Sequence, residues 1–198
     1  MLPMPNRLPQ IFDKHKICII CEGNGEYEYL NRLKSLGVWN EKYEIALVNA
    51  GGNGNIPARY QDRYQNASDE LVLVFCDTEK KPYEQYGDIK RKINEFHDVP
   101  NAADEVIVFV NPCTMQIISK HWTDENLKSP AKPVNAPLIE KYAGVRNYKG
   151  RADQIREIME QVTAENYADM RQRVEHLTTD DSIIGSSNFG KFILLLES

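Results

Sequence analysis

The chain has 198 residues, 41% of them hydrophobic and 27% charged, with a net charge of −5. That length buries a core without disulfide or metal staples, and the balance of apolar and charged residues excludes a disordered chain. No apolar run approaches the roughly 20 residues that cross a bilayer. The opening Met-Leu-Pro-Met-Pro-Asn-Arg-Leu-Pro is too short an apolar stretch for a signal peptide, so a cytoplasmic location is expected. The acidic balance carries no overall signal for nucleic acid, although clustered cations override such a balance locally.

In chain order, Lys16–Cys21 is a continuous apolar run that reads as a strand buried on both faces, as in a parallel sheet. Glu22-Gly23-Asn24-Gly25 breaks it. A helical stripe of Tyr27, Leu30, Leu33 and Leu36 follows, closed by Gly37. Tyr43–Val48 is a second strand, then comes the loop Gly51–Asn55 and a short helix from Pro57 to about Gln65. Glu70–Cys76 is the clearest strand and ends on Asp77-Thr78-Glu79; a charged helix spans Tyr83–Phe96. Glu105–Val110 is the fourth strand, ending on Asn111-Pro112, with a helix from there to Trp122.

Between Trp122 and Gly150 the periodicity fails, with Pro130, Pro133 and Pro137 interrupting it. Helical spacing returns over Arg151–Val162, Ala164–Leu177 and Phe189–Leu196, the last preceded by Asn188 as a fair N-cap. Strands alternating with helices predict an α/β fold: a mostly parallel four-stranded sheet, helices on both faces, and a helical C-terminal part. The expected organisation is an α/β core over 1–122, a basic loop excursion over 123–150, and helices over 151–198 packing on the same domain. Arg151–Leu177 also offers a homodimer face, although packing on its own sheet is the commoner use of such helices.

Open α/β sheets bind ligands at the carboxyl ends of their strands. Two of the three ends that matter are acidic: Glu22 after the first strand, Asp77 and Glu79 after the third. A carboxylate at the lip of a buried strand is partly desolvated, which is costly without compensation. Mg²⁺ supplies that compensation, since it takes one or two carboxylates and keeps several waters. Asp77 and Glu79 stand two apart, so in an extended segment they share one face and suit a single ion. Against this, acids at turns and helix N-termini need no metal.

Other motifs fit less well. Gly23-x-Gly25 lacks the third glycine of a dinucleotide loop and is surrounded by Glu22, Glu26 and Glu28, which repel a pyrophosphate. Gly51–Asn55 lacks the Gly-Lys-Ser/Thr ending of a P-loop. Cys18 and Cys21 read C-x-x-C, but three apart on a strand they face opposite sides, so buried free thiols are expected. A receiver-like phosphotransfer site needs a lysine at a later strand end, where Asn111-Pro112 stands. Residues 120–152 gather Lys120, Lys128, Lys132, Lys141, Arg146, Lys149 and Arg151 with Tyr142 and Tyr148 interleaved. Cations for phosphates and rings for stacking suit nucleic acid, and a solvated lysine-rich loop is the plain alternative.

The first strand ending in Ile-Cys-Glu22-Gly23 with Glu26 and Tyr29, and the later strand ending in Phe75-Cys76-Asp77-Thr78-Glu79, resemble the Toprim domain of topoisomerases, primases, small ribonucleases and OLD-family nucleases. With Val110-Asn111-Pro112-Cys113 running to His121-Trp122, then Tyr148-Lys149-Gly150 and Ser187-Asn188 before Lys191, the chain more closely resembles the RloB-like proteins associated with phage defence and abortive infection. The resemblance implies Glu22 as general acid/base, Asp77 and Glu79 as ligands of Mg²⁺ (or Mn²⁺) with Glu26 as an additional acid, and His121 and Lys149 as phosphate contacts beside the basic Lys128, Lys132 and Arg151. It implies a metal-dependent nuclease of RNA or DNA in defence against foreign genetic elements. That family carries an aromatic–Glu pair where this chain has Thr114-Met115, and Glu79 replaces the second Asp. The second expectation is therefore a catalytically silent module binding nucleic acid or a partner ATPase.

Overall fold

The computed structural model describes residues 14–198; the reading of the first nine residues lies outside them. β1 (His15–Cys21) pairs in parallel with β2 (Tyr43–Asn49) and β3 (Leu71–Asp77), and β3 pairs in parallel with β4 (Ile107–Val110). The sheet is all parallel, in the order β2-β1-β3-β4. Its central strands are apolar on both sides because both sides are covered. Ile19 and Ile20 are fully buried and belong to opposite layers; each contributes roughly 1.5–3 kcal/mol by leaving water.

One layer joins Ile17, Ile19, Leu73 and Phe75 to α1 (Asn24–Ser35), α7 (Ala152–Glu160), α8 (Ala164–Val174) and α9 (Phe189–Glu197). The other joins Ile20, Val72 and Val74 to α2 (Ile56–Asn66) and α3 (Glu84–His97). Cys21 lies in the first layer and Cys18 in the second, as their spacing requires, and the described cysteines are all free. The expected α/β sheet with helices on both faces is the fold. No described helix is long and apolar enough to cross a membrane.

Three elements differ from the sequence reading. Glu105 and Val106 end a short helix, α4 (Ala102–Val106), and β4 starts only at Ile107. The helix after Pro112 is a brief α5 (Met115–Ser119) followed by turns, so it stops short of Trp122. In the proline-rich stretch α6 (Lys132–Ala143) forms, with Pro133 in its first turn and Pro137 inside. A first-turn proline withholds only an N–H that has no helical partner anyway, so Pro133 does not break this helix. Burial sustains it: Ile139 and Ala143 join the layer of β1 and α1, together with Leu127, Val145 and Tyr148. The 123–150 stretch thus supplies core residues to the sheet's own layer.

α7 and α8 spend their apolar faces on this same core, through Ile158, Met159, Tyr167 and Met170. Gly190 of α9 is needed for its close approach to α8, since a Cβ there would stand 3.0 Å from the Val174 carbonyl oxygen.

Asn188 occupies the N-cap position of α9, but its side chain makes no cap bond. It is spent on the free edge of β4: Phe109 N–H donates to Oδ1 at 2.8 Å and Nδ2 donates to the Ile107 carbonyl at 2.7 Å. The side-chain amide, with the Ser186–Ser187 backbone and the Ser187 hydroxyl, thus satisfies an edge that a fifth strand would otherwise cover. Asn188→Ala leaves both β4 groups unpaired and is expected to cost about 1–3 kcal/mol in urea unfolding; unchanged stability would show that water serves the edge equally well.

Candidate metal centre

The parallel ladder carries the site. Beyond the last β1–β3 pair, Cys21 with Phe75, Glu22 N–H still donates to the Phe75 carbonyl at 3.0 Å. That bond sets Glu22 beside the end of β3, where its Oε2 accepts from Asp77 N–H at 3.0 Å. The chain then turns into α1, placing Glu26 in the first turn with Oε2 accepting from Gly23 N–H at 3.0 Å. A carboxylate is favoured at that position by the helix dipole and the free amides.

Thr114 completes the group from the segment after β4. Its Oγ1 lies 2.6 Å from Glu26 Oε1 and 2.6 Å from Asp77 Oδ1. A hydroxyl has one hydrogen to give, so it satisfies one of these carboxylates; the other contact needs a proton on the carboxyl or a cation. Burial raises the Asp77 carboxyl well above the usual range, reinforced by Glu26 and Glu22, and the Thr114 bond only partly opposes this. Glu22 is pushed up to about 8 by burial first, then by Glu26, with the Asp77 amide pulling the other way. Cys113 is likewise raised, by burial and the Asp77 charge, so it stays a neutral thiol.

Glu22, Glu26, Asp77 and Glu79 line one cavity of about 300 Å³. Asp77 and Glu79 do so by a different route from the one their spacing suggested. β3 ends at Asp77 and Glu79 is left-handed with φ 59°, so the stretch is not extended. Instead Thr78 N–H bonds the Val110 carbonyl and Glu79 N–H the Pro112 carbonyl, and the chain folds over β4. Among the described residues no three His, Cys, Asp or Glu side chains are arranged to hold one ion. Two carboxylates with waters is the smaller requirement of Mg²⁺, and Glu26 and Asp77, joined through one hydroxyl, meet it. The all-oxygen donor set fits a hard cation such as Mg²⁺ or Mn²⁺.

The predicted cations divide. Lys132 lines the acidic cavity and packs on Gly150, where a Cβ would stand 2.8 Å from its Cε and 2.9 Å from its Nζ. Lys128, Lys149 and Arg151 are exposed and are not part of its lining; Arg151 pairs with Asp153 at 3.2 Å. Lys120 is buried, its ammonium held by the Asp124 and Glu125 carbonyls and Asn126 Oδ1.

His121 is corrected. It is 1% exposed, with Nε2 3.0 Å from the Tyr29 hydroxyl and Nδ1 2.7 Å from Asn166 Oδ1. Both nitrogens are occupied, so it ties α1 to α8 rather than touching phosphate. Thr114 was missed because attention fell on Met115, which stands where an acid was expected; the place of Thr114 just past a strand end was the available signal. Tyr148, read as a stacking ring on an exposed loop, is 6% exposed and lines the cavity.

The C-terminal region of the Burkholderia pseudomallei OLD protein has the same fold. The TM-score is 0.51 at 12% identity, over 83% of this chain and 97% of that one. No protein-family profile and no curated protein matches the chain.

Burial lowers the His121 imidazole to about 4 from 6.5, with the Asn166 bond opposing and Arg173 assisting. A folded value below the unfolded one means stability that is complete above pH 6.5 and lost as pH falls toward 4. Urea unfolding of wild type and His121→Gln at pH 7.5 and 4.5 is expected to show the wild-type advantage shrinking by roughly 2 kcal/mol at the lower pH. An equal gap at both would mean the imidazole is not held neutral.

Proposed function

We propose that this chain is a divalent-metal-dependent nuclease that cleaves phosphodiester bonds in RNA or DNA. The observation that carries the reading is the convergence of Glu22, Glu26, Asp77 and Glu79 on one cavity at the carboxyl ends of β1 and β3, with Glu26 and Asp77 sharing a single hydroxyl. The fold likeness to the OLD C-terminal region supports it, and so does the Toprim resemblance of the two acidic strand ends. The RloB-like resemblance adds a setting, defence against phage or other foreign genetic elements in the cytoplasm.

In this reading the 1–122 core supplies the acids and the 123–150 stretch supplies a cation. Asp77 and Glu26, with Glu79 beside them, would hold Mg²⁺ or Mn²⁺. When bound, the ion neutralises phosphate charge and activates an oxygen nucleophile. Glu22 handles the proton. One of its oxygens is fixed by the Asp77 amide, and a carboxyl raised to about 8 exchanges a proton near neutral pH. Lys132, which lines the same cavity, offers a charge to the substrate phosphate, and exposed Lys128, Lys149 and Arg151 lie along the same stretch to meet flanking phosphates.

One observation favours a second reading. Met115 lines the cavity at the place where the family carries an acid, which suits a module that binds nucleic acid, or a partner ATPase, without cutting.

Cleavage of labelled single strands and plasmid in Mg²⁺ or Mn²⁺ separates the two. Glu22→Gln is expected to lower the cleavage rate by about 100-fold or more while leaving nucleic-acid binding in place. Full cleavage by Glu22→Gln would remove Glu22 from the mechanism, and wild type that binds but never cuts would favour the silent module.

A further inference from the structure

The cavity that holds the acids has a second wall of the opposite character. Met115, Tyr148, Ile155, Ile158 and Met159 line it, each buried and belonging to the main apolar layer. A hydrated cation and a phosphate gain nothing from such a surface. Methionine side chains are polarisable and adapt to flat partners, and a tyrosine ring adds a face for stacking. Tyr148 forms no hydrogen bond through its hydroxyl to any described residue, so this polar group of a nearly buried side chain is left for a ligand. The acids stand on strand ends and the apolar wall on α5, α7 and the turn before Gly150, so a bound molecule spans both.

A cavity of about 300 Å³ is at the small end of ligand sites. It suits one nucleotide unit, with phosphate toward the acids and Lys132 and base toward the apolar wall. A base inside a continuous duplex cannot enter such a wall without leaving its stack. We infer that the site takes a single unstacked nucleotide of a single-stranded or unpaired segment, its base seated against Met115, Tyr148, Ile155 and Met159. This rests on the nuclease reading for the phosphate end, while the base contact stands on the apolar wall alone.

The test uses the full chain and oligonucleotides of one sequence in three forms: single strand, continuous duplex, and duplex with a central unpaired stretch, each as DNA and RNA. Affinity is measured in Ca²⁺ and cleavage in Mg²⁺. The expected result is binding about tenfold tighter to the unpaired forms, with cuts confined to the unpaired stretch. Met159→Ala is expected to erase most of that preference and Met159→Leu to restore it; thermal unfolding of each variant checks that the fold persists, and Tyr148→Phe gives a second, milder probe of the same wall. Unpaired-form preference in binding with no cleavage anywhere would support this inference and overturn the nuclease reading. Equal cleavage of continuous duplex, or a preference untouched by all three variants, would overturn this inference and leave the nuclease reading standing. No binding to any form would overturn both. The DNA and RNA arms show which sugar the site accepts.

Discussion

Two carboxylates from separate elements, Glu26 in the first turn of α1 and Asp77 at the end of β3, meet on one threonine hydroxyl that has a single hydrogen to share. The surrounding structure serves to hold this crowded arrangement. Parallel pairing of β1 and β3 brings Glu22 against the Asp77 amide; the first turn of α1 presents Glu26; the stretch after β4 delivers Thr114. Burial then makes the charge costly, raising the Glu22 and Asp77 carboxyls above their usual range. A site built this way is under electrostatic tension that a divalent cation relieves, and that physical need links the geometry to the proposed chemistry.

The cavity has two chemical halves because two different parts of the chain build it. Strand ends bring acids, and α5, α7 and the Tyr148 turn bring apolar side chains from the core. Lys132 lines this cavity and packs its side-chain end against Gly150, at φ 72°, where a Cβ would crowd it. The same packing that gives α7 its place in the core therefore shapes one wall of the cavity.

The sheet was legible because β1 and β3 are continuous apolar runs, a pattern that only a doubly covered parallel strand explains, and its acidic ends were legible for the same reason. Glu26 was legible only through family resemblance, since its spacing from Asp77 carries no signal. α6 was hidden because its prolines mask a helix that packing, not propensity, sustains. His121 and Lys120 looked like surface cations because sequence shows charge and not burial. Asn188 stands at the helix start where it was read, but its side chain serves a strand edge 79 residues away, a contact no local pattern encodes. Thr114 was read only as a departure from the family's aromatic residue, whereas it is the group on which two acids converge.

The most direct test of the cation-compensated site is thermal unfolding at neutral pH with and without millimolar Mg²⁺ or Mn²⁺. The account predicts that the ion raises the melting temperature of the wild-type chain and does nothing for Asp77→Asn/Glu26→Gln, whose metal-free form is the more stable because two buried carboxyls no longer crowd one hydroxyl. A wild-type chain indifferent to both ions, with the double variant no more stable, would contradict it.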